Sequence, residues 1–194
     1  MRIIAGEYRG RALTAPKGDG TRPTTDRVRE STFSALTSRL GANLGGGAVL
    51  DAFAGTGALG IEALSRGCAS ATFVEADRSV TRVLRKNLES LGAQGRARVV
   101  ESDVLALARR GAVPGGPFAL LLLDPPYRLA WCDIEGLTSA LVRDGLLVDG
   151  AVVVYEHARA MAAEWGSGFD LLTRKTYGKT DVDIVVYQRG TGVS

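Results

Sequence analysis

The sequence predicts an α/β protein: a doubly wound, mostly parallel sheet whose last strand runs antiparallel. Three observations carry that expectation. From Ala48 onward, short apolar runs alternate with glycine-bearing turns and helical stretches, the pattern of consecutive βαβ units. The run FALLLLD, residues 118–124, is apolar throughout, as a central parallel strand covered on both faces must be. Near the C-terminus, FDLLTRKTYG and DVDIVVYQR are separated only by a short turn around GKTD, so they pair antiparallel.

Taken in order, RIIAGEYRGRALT (2–14) reads as two short strands around a turn region from Gly6 to Gly10, a small hairpin arm. A polar loop, APKGDGTRPTT, precedes a helix from about Asp26 to Leu40, capped by Thr25 or Asp26. Val28, Thr32, Leu36 and Leu40 form its buried stripe, with Phe33 alongside. GANLGGG marks a boundary, dividing an arm (1–40) from a catalytic domain (41–194). AVLDAF, ATFVEA, ARVVES, FALLLLD and AVVVYEH (151–157) are the parallel strands. Helices are expected over 58–66, 80–92, near 104–110 and within 134–143, the second ending at Gly92.

The 194 residues suffice for one full hydrophobic core. No stretch approaches the ~20 uninterrupted apolar residues of a membrane span. The start MRIIAGEYRGRAL has no apolar run of the kind a signal peptide carries, so the expected location is cytoplasmic. Cys68 and Cys132 match no metal or redox spacing, and His157 stands without a cluster or triad; no metal site is expected. Nothing points beyond a monomer. Charge is unevenly placed. Residues 1–40 carry eight basic side chains against four acidic ones, a net +4 in a chain whose total is +3. Arginines dominate that set, and their planar forks suit phosphates. Arg2, Arg9, Arg11, Arg22, Arg27 and Arg29 are therefore the candidate contacts to a polyanion, against the plainer reading of a solvated basic surface.

The loop DAFAGTGALG satisfies G-x-G-x-x-G with Gly55, Gly57 and Gly60, between a strand and a helix. In an open parallel sheet this turn lies where ligands bind. Asp51 decides between a dinucleotide and S-adenosylmethionine: a carboxylate there repels a pyrophosphate and favours the ammonium of a methionine moiety. Glu75, at the end of the second strand, is placed to accept ribose hydroxyls from either cofactor. Asp103 either accepts from an adenine amino group or caps the following helix.

The apolar run at 118–123 ends in Asp124-Pro125-Pro126-Tyr127. Prolines stiffen the turn and donate no hydrogen bond. An exocyclic amine has two hydrogens, and the Asp124 carboxylate and Pro125 carbonyl can accept one each while its nitrogen faces a methyl donor. Such acceptors stabilise the positive charge that develops on nitrogen. Tyr127 offers a face on which a splayed-out base can stack, a contact worth ~1–3 kcal/mol.

These residues, with RIIAGEYRGRAL, RPTTDRVRES and DAFAGTGALGIEALSRG, make the chain resemble the RsmD family of bacterial small-subunit ribosomal RNA guanine-N2 methyltransferases. The resemblance spans nearly the whole chain. It implies a Rossmann-like methyltransferase sheet of seven strands with S-adenosylmethionine as the methyl donor. It also implies one guanine of 16S rRNA as acceptor, the family's guanine 966, presented in a small-subunit assembly intermediate. By motif position, Asp51, Gly55 and Gly57 line the methionine end, Glu75 takes the ribose and Asp103 the adenine. Phe53, Ala54, Thr56, Ala76 and Val104 are further cofactor-binding positions that the resemblance implies, and Asp124 to Tyr127 form the catalytic corner. RPTTDRVRE has a mixed expectation, covering the cofactor and showing arginines to RNA, with an Arg27–Glu30 ion pair as the plainer reading. Alternatives are a DNA amino-methyltransferase using the same corner, a non-catalytic RNA-binding protein and an NAD-dependent enzyme.

Overall fold

The computed structural model describes residues 1–15, 26–41, 44–161 and 163–190. The elements are helix α1 (Asp26–Leu40), strand β1 (Ala48–Asp51), α2 (Ala58–Ser65), β2 (Ser70–Glu75), α3 (Arg78–Leu91), β3 (Ala97–Glu101) and α4 (Val104–Arg109). They continue with β4 (Phe118–Leu123), α5 (Trp131–Arg143), β5 (Leu147–Ala158), β6 (Phe169–Tyr177) and β7 (Thr180–Tyr187). Seven strands form one sheet in the order β3-β2-β1-β4-β5-β7-β6. The pairs among β1 to β5 are parallel, and β7 alone is reversed, pairing antiparallel with β5 and β6. The strand order turns back at β1/β4, which sets the ligand-binding crevice at their C-terminal ends.

Period-two alternation sorts the side chains into two layers. Val49, Phe73, Leu120, Leu122, Val152 and Val154 face one way and pack with Phe33, Leu36, Ile61, Leu64, Leu84 and Leu88 of α1, α2 and α3. Leu50, Val74, Leu121, Leu123, Val153 and Tyr155 face the other way, against Val104, Leu107, Ile134, Leu137 and Leu141 of α4 and α5. Among the described residues no helix is long and apolar enough to cross a membrane.

Two boundaries extend beyond the sequence reading. Helix α5 begins at Trp131 rather than within 134–143, because the Asp133 carboxylate reaches back to the Ala130 N–H at 3.0 Å and closes its first turn. Strand β5 begins at Leu147, which pairs with Phe118 before the register shifts and Leu120 meets Val152.

The N-terminal hairpin needs correction. It contracts to one antiparallel bridge, Arg2 to Ala12, with the Ile3 N–H donating to the Arg11 carbonyl at 3.0 Å. The physical reason is that α2 takes the arm's hydrogen-bonding groups. The Glu62 carboxylate accepts from the Ile4 and Ala5 N–H groups at 2.8 and 3.1 Å, and the Ser65 hydroxyl accepts from the Tyr8 N–H at 2.9 Å. Ile3, Tyr8 and Leu13 then join the same buried cluster as β1 and β2. Thr25 and the loop before it lie outside the described residues.

Glu62 is fully buried, and besides the arm it bonds the Arg66 guanidinium at 2.7 Å, with Arg29 at 3.9 Å. Removing this carboxylate strands two N–H donors and a buried cation. Glu62→Ala is expected to lower unfolding free energy by roughly 3–5 kcal/mol in urea titration and to expose residues 1–15 to limited proteolysis. A loss under about 1 kcal/mol, the scale of a surface ion pair, would contradict this role.

Candidate active site

Asp51 is the last residue of β1, and its register partners are Phe73 on β2 and Leu122 on β4. Glu75 lies two residues beyond Phe73, and Asp124 two beyond Leu122. Alternation therefore sends the carboxylates of three adjacent strands to one edge and one face of the sheet. Parallel pairing continues briefly past the strand: Ala52 N–H donates to the Leu122 carbonyl at 3.1 Å, and Ala54 N–H to the Val74 carbonyl at 3.0 Å. The glycine loop is thus tied to both neighbours before it turns into α2.

That turn requires glycine twice, since Gly55 and Gly57 have φ of 53° and 84°. A side chain at Gly57 would strike Leu84 at 2.3 Å, whereas the space beside Gly55 is open, a cradle that a ligand can fill. Gly57 has no side chain to cap α2, so Asp51 does so from outside, its Oδ2 accepting from the Gly60 N–H at 2.9 Å. Its Oδ1 is buried without a partner. Burial above all pushes the Asp51 carboxyl up to about 7; the Gly60 N–H opposes the shift, and the charges of Asp124 and Glu75 add to it. An orphaned buried carboxylate oxygen among other acids fits a cationic ligand group.

Glu75, half-buried, accepts from the Gly55 N–H at 2.9 Å and from the Asp77 N–H at 2.8 Å, bracing the loop. Asp103 caps α4, accepting from the Leu105 N–H at 2.8 Å, so the capping reading holds for one of its oxygens. Of the other expected residues, Ala54, Thr56 and Val104 are buried, Phe53 is partly buried and Ala76 is exposed.

At the corner, Asp124 is half-buried, Pro125 buried and Pro126 exposed. Not every carbonyl stays available: that of Pro126 accepts from the Leu129 N–H at 3.0 Å, which tightens the turn. Tyr127 is 43% exposed, with its hydroxyl 3.0 Å from that of Thr180 on β7. Its ring is held from one end and open to solvent, as a stacking platform requires. Downstream, Trp131 packs on Tyr155 and Trp165 at 5.7 and 4.9 Å. Asp183 anchors this cluster through Trp165 Nε1–H at 3.0 Å and two bonds from Arg174. Burial acts to raise its carboxyl, but those bonds and His157 hold it well below the usual range. His157 is buried in this cluster, stacked on Tyr155. Cys68 is buried too, and burial pushes its thiol up to about 11.

The basic set divides. Arg2, Arg9, Arg11 and Arg27 are exposed, while Arg22 lies outside the described residues. Arg11 donates to the Ser90 carbonyl near the end of α3, within one turn of Asn87, whose side chain reaches the Thr56 carbonyl of the glycine loop. Arg29 contradicts the expected phosphate contact. It is 1% exposed, donates to the Arg2 carbonyl, and pairs with Asp26 at 2.9 Å. Its position faces inward beside Val28 and Thr32. Among the described residues the ion pair within α1 is therefore Arg29–Asp26 and not Arg27–Glu30.

Asn87 escaped the sequence reading. Fully buried on α3, it donates from Nδ2 to the Thr56 and Thr14 carbonyls at 3.0 and 3.1 Å and accepts from the Thr14 N–H at 2.9 Å. It clamps the glycine loop to the arm. The signal was an asparagine in the apolar stripe of Leu84, Leu88 and Leu91.

Residues 1–186 match the family model described as Conserved hypothetical protein 95. The chain is 38% identical over 198 aligned residues to the ribosomal RNA small subunit methyltransferase D of Escherichia coli K12, covering 94% of each chain. It is 37% identical over 185 residues to a Bacillus subtilis protein described as a candidate rRNA methyltransferase, covering 95% of this chain and 97% of that one. A solved Escherichia coli structure described as a candidate methyltransferase superposes with a TM-score of 0.82 at 35% identity, covering 98% and 99% of the two chains.

The raised Asp51 carboxyl fixes a pH dependence. The folded protein holds this proton more tightly than the unfolded chain, so the contribution of Asp51 to stability falls as pH rises from 3.8 to about 7. Asp51→Asn keeps an acceptor for Gly60 and removes the titration. Denaturant midpoints across that range should fall less steeply in the variant; parallel curves would contradict the assignment.

Proposed function

The chain belongs to the family described as Conserved hypothetical protein 95, which the sequence resemblance names as RsmD, and on that premise we propose that it methylates small-subunit ribosomal RNA. The donor is S-adenosylmethionine and the acceptor is the exocyclic N2 amine of one guanine, guanine 966 in the family pattern. The observation that carries this reading is the delivery of Asp124 to the same edge and face as Asp51 and the Gly55 loop, close enough for its charge to act on Asp51.

The unpartnered Oδ1 of Asp51 receives the ammonium of the methionine moiety, the open space beside Gly55 admits its chain, and Glu75 accepts from the ribose. Asp103 uses its other oxygen for the adenine amino group. When bound, S-adenosylmethionine supplies an electrophilic methyl on a sulfonium, whose S–C bond breaks as the N–C bond forms and leaves S-adenosylhomocysteine. Tyr127 stacks on the flipped-out guanine. The Asp124 carboxylate and the Pro125 carbonyl each accept one N–H of its amine and stabilise the charge growing on nitrogen. One of those protons then leaves to Asp124, directly or through water.

Residues 1–40 carry the RNA recognition in this reading, with Arg2, Arg9, Arg11 and Arg27 on phosphates. A ribosomal substrate is large enough to reach these arginines as well as the Asp124 corner. Assembly into a partly built small subunit is the expected context, with the enzyme acting as a monomer.

Asp124→Ala should lower methyl transfer to small-subunit RNA on the order of 10³-fold while S-adenosylhomocysteine affinity by calorimetry stays within a few-fold. Wild-type turnover in that variant would remove the mechanism. Replacing Arg9 and Arg27 by alanine should weaken RNA binding and flatten its log–log salt slope by about 0.7–0.9 for each phosphate no longer neutralised. An unchanged slope would place those arginines off the RNA.

A further inference from the structure

A carboxylate and a carbonyl that share the two hydrogens of an amine grip adenine or cytosine as readily as guanine. Something else at the corner must read the ring. The atom beside the amine is what differs: N1 of guanine carries a hydrogen, whereas N1 of adenine and N3 of cytosine carry lone pairs. A second acceptor aimed at that atom would select guanine.

Glu156 occupies the position such an acceptor needs. It is only 7% exposed although charged. On β5, Val152 and Val154 belong to the layer under α1 to α3, while Val153 and Tyr155 belong to the opposite one. Alternation therefore sends Glu156 to the face that bears Asp51, Glu75 and Asp124. Tyr155 is the register partner of Leu123, so the next step along the parallel pair sets Glu156 beside Asp124. On its other side, Thr180 pairs with Ala158 and holds the Tyr127 hydroxyl. The Asp124–Tyr127 corner thus spans from β4 to β7 across the end of β5, where Glu156 stands. Among the described residues no group of His, Cys, Asp or Glu side chains is arranged to hold a metal ion.

We propose that Glu156 is the residue that selects guanine, its carboxylate accepting the N1–H of the base whose N2 amine is held by Asp124 and Pro125. This rests on the reading of the site as a guanine-N2 methyltransferase and adds a specificity-determining contact to it. Adenine and cytosine would turn a lone pair towards a carboxylate, leaving one acceptor facing another. A residue that only supported the fold would affect all acceptors alike.

The test uses small-subunit particles whose ribosomal RNA carries either guanine or 2-aminopurine at the methylated position. 2-Aminopurine keeps the N2 amine but has a lone pair at N1. Wild-type protein should favour guanine by about 100-fold or more in kcat/KM, the discrimination expected when a buried acceptor loses its donor. Glu156→Gln offers an amide that can donate to that lone pair, and should shrink the preference to about 10-fold or less. Calorimetry with S-adenosylhomocysteine checks that the variant retains its cofactor site. Wild-type protein that methylates both bases within a few-fold overturns the proposal whatever the variant does, as does a folded Glu156→Gln that keeps the wild-type ratio. No transfer to guanine by the wild type would overturn the guanine reading itself, a different result from an altered ratio.

Discussion

Parallel register is the constraint on which the site depends. Asp51 closes β1 between Phe73 and Leu122, and the same pairing carries Glu75 and Asp124 two residues further to the same edge. Side-chain alternation leaves no choice of face, because a slip by one residue would turn every one of these carboxylates towards α4 and α5. Gathering acids in this way is unfavourable by itself. Burial raises the Asp51 carboxyl to about 7, and its acidic neighbours reinforce the shift. A cationic ligand group would offset that penalty, whereas a pyrophosphate would add to it.

Much of the remaining structure holds this edge in place. Asn87 fastens the glycine loop to the arm, and Glu62 fastens the arm to α2. Beyond the proline turn, Trp131 locks the start of α5 against Tyr155 and Trp165, and Arg174 neutralises Asp183 beneath them. The corner is therefore stiff at both ends, tied at Tyr127 to β7 and packed at Trp131 against β5. Preorganised acceptors of this kind need little rearrangement when charge develops on a nearby nitrogen.

The sheet was legible because its signals are local and redundant. Apolar runs, glycine turns and the closing hairpin of β6 and β7 each pointed to the same architecture. The placement of the candidate residues Asp51, Glu75 and Asp124 at one strand edge was legible for the same reason, since each directly follows or closes an apolar run. Long-range hydrogen bonding was not legible. Glu62 and Ser65 look like ordinary helix residues, yet they take the N–H groups that would have completed the N-terminal hairpin. The charge of Arg29 points to a surface contact, but its position next to Val28 puts it on the buried face, where Asp26 and Glu62 compensate it. Glu156 lies in an otherwise apolar strand, where the sequence alone offers it no neighbour; the register with β4 sets it beside Asp124.

Identification of the methylated atom tests the central claim most directly. Purified protein would be incubated with isotope-labelled S-adenosylmethionine and small-subunit particles lacking the modification, and the RNA digested to nucleosides for mass spectrometry. A site built from Asp51, the Gly55 loop and the Asp124 corner predicts label in N2-methylguanosine at a single position. Label on an adenine or cytosine amine, on a ring carbon, or on no nucleoside at all would contradict it.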